Sequence, residues 1–171
     1  QIFTTYASLP KLLKYVQPDL TVYDEAHHVQ ALKTFKDGYR LYLTATPGKK
    51  AMEGDIIGRY LLGHAIADGN LTDYDVIILN DDDQMENLKA IVERCKKIIV
   101  YSVTNKRAKE LYDMWNDECG IIPGYYVNCK TGGTDRRTIF ESFRKDSRAI
   151  IFNCNILGEG VDFPECDAVF M

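Results

Sequence analysis

The chain has 171 residues, 46% hydrophobic and 27% charged, which gives room for one full domain or two partial ones, since domains run roughly 100–150 residues. Its net charge of −4, with 8 basic and 7 acidic side chains in residues 1–70 and 13 and 18 in residues 71–171, excludes a globally basic nucleic-acid footprint but leaves one basic face possible. No apolar run is long enough to span a bilayer, no signal peptide opens the chain, and the five cysteines never fall as Cys-x-x-Cys; a membrane span, a disulfide framework and a zinc site are therefore not expected, and reduced thiols inside a cell are.

Residues 2–6 read as a strand end. Leu9, Leu12, Leu13 and Val16 then recur at helical spacing until Pro18 closes the helix. Residues 20–24 form the next strand, followed by a polar helix to about residue 36, a turn at Asp37-Gly38 and a strand over 39–43. A short helix over 64–68 ends at Gly69, and the pattern places a domain boundary near residues 69–73. Residues 75–79 are expected as the first strand of the second unit. The acidic run Asp81-Asp82-Asp83 suits a solvated helix N-terminus better than a metal. Helices over 84–95, 106–116 and 135–144 then alternate with strands over 98–102, 125–128 and 149–153, and a last apolar run begins at Ala168. Strands alternating with helices imply parallel sheets. The start at Gln1 and the apolar end at Met171 read as those of a piece of a longer protein.

The chemistry concentrates at strand ends, where ligands bind in open α/β sheets. Asp24-Glu25-Ala26-His27 puts two adjacent carboxylates and an imidazole at the end of the 20–24 strand. An Asp that helps hold Mg²⁺ and a Glu that polarises water are what a nucleotide-hydrolysing site needs there, although two carboxylates at a helix start also simply complement its dipole. Thr44-Ala45-Thr46 follows Asp24 by twenty residues and could hydrogen-bond the carboxylates or His27; equally, Thr ends a strand and Pro47-Gly48 makes a turn.

With these motifs in order, the chain resembles a superfamily 2 DEAH-box helicase or translocase of the restriction-enzyme-like branch. Asp24-Glu25-Ala26-His27 looks like motif II, Leu41–Pro47 like motif III, residues 99–108 like motif IV and residues 155–164 like motif V. Residues 4–9 resemble the strand-contacting motif before the DEAH box, and residues 65–71 the inter-lobe linker. The resemblance implies an α/β fold of two partial RecA-like lobes, parallel sheets flanked by helices, that clamp ATP. Residues 1–70 would be the C-terminal part of lobe 1, and residues 71–171 the N-terminal part of lobe 2.

The implied roles follow residue by residue. Asp24 and Glu25 would hold Mg²⁺, with Glu25 activating the attacking water, and His27 would couple the nucleotide state to Thr44 and Thr46. Gly160 and Asp162 would approach the nucleotide, Asp162 accepting from a ribose hydroxyl. Thr5, Ser102, Gly132, Gly133 and Cys154 would contact a nucleic-acid strand, DNA favoured and RNA possible. Cys154 departs from the Thr common in the family, and a thiol is a poorer donor to phosphate; simple burial explains it as well. Lys106-Arg107 and Arg136-Arg137 could grip phosphates, though solvated faces are the commoner role.

No Gly-x-x-x-x-Gly-Lys-Ser/Thr phosphate loop occurs in the 171 residues, and the arginine-rich motif VI is expected beyond Met171. The chain alone is therefore expected to be inactive, within an ATP- and Mg²⁺-using parent. Two rivals remain open: a non-catalytic nucleic-acid clamp or scaffold on the same fold, and a motor subunit of a restriction or repair nuclease.

Overall fold

A computed structural model of the chain describes residues 1–27, 38–46, 55–79, 83–158 and 161–171, and it divides into two units, Gln1–Tyr74 and Asp75–Met171. In the first unit, β1 (Leu20–Tyr23) and β2 (Tyr39–Tyr42) pair in parallel with Leu20 opposite Tyr39 and Tyr23 opposite Tyr42. Both strands therefore end at the same level. Gly38 permits that register: a Cβ there would stand 2.4 Å from the Asp19 carbonyl oxygen, so the chain enters β2 only with glycine at this close approach. A small core of Leu9, Tyr23 and Ala26 lies beside the pair, with Tyr6, Leu13 and Tyr42 packed on it.

Helix α1 (Leu9–Leu12) has Pro10 in its first turn and continues only as a turn over 13–15, shorter than the apolar spacing to Val16 predicts. Pro18 disfavours helix in the residue before it, and four residues cannot build a stable helix on their own. Helix α2 (Leu62–Ala67) is stopped by Gly69 at φ 73, and the amides of Asn70 and Leu71 both donate to the Ala65 carbonyl, the wrap-back of a left-handed glycine cap. Residues 2–6 carry no strand and are mostly exposed; the β-prone spelling finds no neighbouring ladder there. The polar helix expected after Asp24 falls on residues 28–37, outside the described residues.

Among its described residues, the second unit forms a four-stranded parallel sheet in the order β4-β5-β3-β6, from β3 (Lys97–Tyr101), β4 (Gly124–Val127), β5 (Ala149–Asn153) and β6 (Ala168–Phe170). Side chains along β3 and β5 alternate between two cores. Ile98, Val100, Ile150 and Phe152 join Leu88, Val92, Leu111 and Trp115 on one side, while Ile99 and Ile151 join Phe143, Leu157 and Phe163 on the other. Helices α3 (Gln84–Arg94) and α4 (Asn105–Met114) thus cover one face and α5 (Gly133–Lys145) the other, which is why these strands read as continuous apolar runs.

The helix ends explain the polar residues between. Asp83 caps α3 by accepting from the amides of Met85 and Glu86 at 3.0 and 3.2 Å, and Thr104 caps α4 from the amide of Arg107 at 3.1 Å. Helix α4 runs on into a π-helical turn, Trp115–Cys119, whose wider coil no sequence pattern announces. The strand expected over 75–79 forms no ladder among the described residues, with Val76, Ile77 and Ile78 exposed; an apolar run specifies a strand only where an edge is available to it. Among the described residues, no helix is long and apolar enough to cross a membrane.

Candidate functional site

The matched ends of β1 and β2 set the geometry in the first unit. The Leu43 amide donates to the Tyr23 carbonyl and the Ala26 amide to the Leu43 carbonyl, each at 2.9 Å, so residues 24–27 fold back across the end of β2. The Asp24 carboxylate accepts the Glu25 amide at 3.0 Å. Glu25 itself sits at φ 48, a left-handed backbone that costs a non-glycine residue on the order of 1–2 kcal/mol. That twist brings Glu25 Oε2 to 3.4 Å from His27 Nδ1. The same nitrogen lies 3.1 Å from Thr44 Oγ1, and Thr44 Oγ1 accepts the Thr46 amide at 3.2 Å. Carboxylate, imidazole and hydroxyl therefore form one chain across the two strand ends, with Thr46 joined through its backbone.

Beneath this chain lies a residue that motif reading passed over. Tyr6 donates its hydroxyl to the Asp24 carbonyl and stacks on Tyr23 (centroids 6.3 Å apart), which stacks on Tyr42 at 5.2 Å. Burial pushes the Tyr6 hydroxyl above its ordinary pKa, and the Asp24 and Glu25 carboxylates push in the same direction, so it stays a donor. The spelling Thr4-Thr5-Tyr6 points to Thr5 and does not announce Tyr6. Thr5 lies in the exposed turn before α1, where its hydroxyl donates to Ser8 Oγ at 3.2 Å.

Asp24 and Glu25 offer exposed carboxylate oxygens, the hard donors Mg²⁺ prefers; it commonly takes only one or two protein carboxylates and completes its shell with water and phosphate oxygens. The residues present fit the ion in that manner. Among the described residues, no cluster of three or more His, Cys, Asp or Glu side chains could hold a metal alone.

In the second unit, Ser102 follows β3, Cys154 follows β5, and Gly132-Gly133 lie beyond β4 at the start of α5, so the parallel sheet collects them at its carboxyl edge. The Ser102 amide donates to the Asn153 carbonyl at 2.9 Å, and its hydroxyl is buried without a protein hydrogen-bond partner. Cys154 is buried and donates its thiol to the Val103 carbonyl at 3.5 Å. Gly132 and Gly133 are exposed, with open space where a Cβ on Gly133 would stand, leaving the first amides of α5 approachable.

The loop after β5 turns at Asn155, φ 56, a left-handed position that Asn tolerates. Fully buried Asn153 pins it: its side-chain amide donates to the Val100 carbonyl at 2.9 Å and its oxygen accepts the Leu157 amide at 3.3 Å. Tyr101 donates to the Leu157 carbonyl, and burial above all raises its pKa. Asp162 is exposed further along. Gly160 lies outside the described residues. Of the basic candidates, Lys106 and Arg107 pair with Glu110 along their own helix at 3.8 and 3.5 Å, and Arg136 donates to the Thr131 carbonyl at 3.3 Å. Arg107 also donates to Gln84 Oε1 at the start of α3, tying the two helices together.

Residues 83–171 match the family model described as helicase conserved C-terminal domain. The chain is similar to a probable helicase of African swine fever virus, 26% identical over 195 residues that cover 89% of this chain and 22% of the relative. It is also similar to UvrABC system protein B of Kosmotoga olearia, 25% identical over 136 residues (77% of this chain, 20% of the relative), and of Thermobifida fusca, 28% identical over 138 residues (78% and 19%). Among solved structures, domain 2 of a DEAD-box helicase bound to an RNA duplex matches at 23% identity and a TM-score of 0.44, over 49% of this chain and 34% of that one. The chain spans about a fifth of the length of these curated relatives.

Proposed function

The chain belongs to the helicase conserved C-terminal domain family, and on that footing we propose that it works within a nucleic-acid-dependent ATPase that couples ATP hydrolysis to movement along DNA or RNA. The observation that carries the reading is the chain Glu25–His27–Thr44, with His27 Nδ1 at 3.4 and 3.1 Å from its neighbours. Asp24 and Glu25 would hold Mg²⁺, which would supply neutralisation of charge on the phosphate oxygens. Glu25 accepts the proton of the attacking water. His27, shared between Glu25 and Thr44, carries a change of charge at Glu25 to Thr44 and to the Thr46 amide.

In this reading, residues 1–70 are the C-terminal part of a first RecA-like lobe and residues 71–171 the N-terminal part of a second. Asp162 accepts from a ribose hydroxyl and Gly160 lets backbone approach the nucleotide. Thr5, Ser102, Gly132, Gly133 and Cys154 line the path of a strand held mainly through its phosphates, DNA favoured over RNA.

The test is Glu25→Gln in the intact protein. Nucleic-acid-stimulated ATPase is expected to fall by roughly 10²-fold or more while nucleotide binding persists; turnover within twofold of wild type overturns the water-activating role. The 171-residue chain alone, which has no phosphate-loop sequence, serves as the inactive control. A non-catalytic nucleic-acid clamp is the second reading, favoured by the Cys154 thiol, which is turned to the Val103 carbonyl and gives a phosphate no hydroxyl. An intact protein that binds nucleic acid without any ATPase activity establishes it instead.

A further inference from the structure

Residues 162–165 are gripped by one side chain of α5. Arg144, in the last turn of that helix, donates from Nη2 to the Asp162 carbonyl at 2.9 Å. Its Nε lies 3.5 Å from Glu165 Oε1, and its guanidinium carbon stands 4.8 Å from the centre of the Phe163 ring. Phe163 is buried and meets Phe140 and Phe143 of the same helix edge-on, each with centroids 5.2 Å away. A planar guanidinium can stack and donate in two directions at once, which a lysine ammonium cannot.

Complementing the helix dipole does not account for this geometry, because Lys145 already places a cation in the same turn. Nor is the contact buried stabilisation, since Arg144 is about half exposed and exposed ion pairs contribute little. What the grip does is fix the backbone of Asp162 while leaving its carboxylate exposed.

We infer that Arg144 is a positioning residue for Asp162: it sets the backbone from which that carboxylate meets the ribose of a nucleotide. The inference rests on the ribose-binding reading of Asp162 given above. Preorganisation of this kind shows as selectivity, because a site built around a substrate hydroxyl discriminates against the analogue that lacks it.

The experiment compares kcat/KM for ATP and for 2′,3′-dideoxy-ATP in the intact protein, in the wild type and in Asp162→Ala, Arg144→Ala, Arg144→Lys and Lys145→Ala. The preference for ATP is expected to fall roughly tenfold in Asp162→Ala and comparably in both Arg144 variants, as the loss of one hydrogen bond would give. The change should lie in KM for ATP, with kcat within about twofold. Lys145→Ala, an exposed cation of the same last turn, should keep the wild-type preference. Wild-type preference in Arg144→Lys, or in a folded Arg144→Ala, alongside its loss in Asp162→Ala overturns the role of Arg144 alone. Unchanged preference in Asp162→Ala overturns the ribose reading and this inference with it. Should Arg144→Ala not fold, Arg144→Lys, which keeps the cation over Phe163, decides in the same way.

Discussion

The two units host similar strand-end chemistry on very different amounts of packing. In the second, β5 is buried along its whole length and β3 over four of its five residues, with a separate hydrophobic cluster on each face. Among the described residues of the first, a two-stranded ladder leaves Leu20, Val22 and Tyr39 exposed at 55%, 51% and 82%, and the small core of Leu9, Tyr23 and Ala26 is extended by the stack Tyr6–Tyr23–Tyr42. Two paired strands are marginal by themselves, whereas four with both faces covered are not. Among the described residues, burial is therefore concentrated where four of the five nucleic-acid candidates sit, while Asp24, Glu25 and His27 rest on a few local contacts.

The largest effect should come from Trp115→Ala. Trp115 is fully buried, donates from Nε1 to the Ile122 carbonyl at 3.1 Å and packs against Phe152; its removal should cost about 3–5 kcal/mol, read from denaturant titration by circular dichroism. A loss below about 1 kcal/mol would break the contrast. Tyr6→Phe should cost only about 1 kcal/mol, the worth of one hydrogen bond, yet, if the proposed function holds, lower the nucleic-acid-stimulated ATPase of the intact protein by releasing the Asp24 carbonyl. Thermal melts set beside turnover check it, and unchanged turnover would detach Tyr6 from the site.

The smallest effect is a pH dependence in the second unit. The Tyr125 hydroxyl, which donates to the Asp146 carboxylate at 2.6 Å, is pushed up to about 12 from an ordinary 10.0, by burial first and then by that carboxylate. The folded state thus holds this proton more tightly than the unfolded chain. Its contribution is complete below pH 10 and is lost as pH rises towards 12. Denaturant midpoints across that range should fall more steeply for wild type than for Tyr125→Phe, and equal slopes would remove the contribution.

How much of this was legible in the sequence differs between the units for the same reason. The runs Ile98-Ile99-Val100 and Ile150-Ile151-Phe152 declare strands buried on both faces, and β3, β5 and α3 to α5 lie close to where periodicity puts them. Residues 2–6 and 75–79 have equally β-prone spelling but no ladder, since pairing depends on a partner that a local pattern cannot name. Within the site, Asp24, Glu25 and His27 were readable as a motif. Tyr6 and Arg144 were not, because each acts on a backbone carbonyl far along the chain, a contact that leaves no spacing rule behind. The left-handed φ of Glu25 was equally hidden, since glutamate ordinarily gives no turn signal.

That φ has a counterpart. Glu25 stands two residues past the end of β1 and Asn155 two residues past the end of β5, both left-handed, and glycine would relax the backbone at either place. A population selected for folding alone would drift to glycine at both positions. One selected for turnover would keep the carboxylate at 25 and accept glycine only at 155. Substitution patterns at this pair would therefore record whether a lineage still lives by its catalysis or merely by its shape.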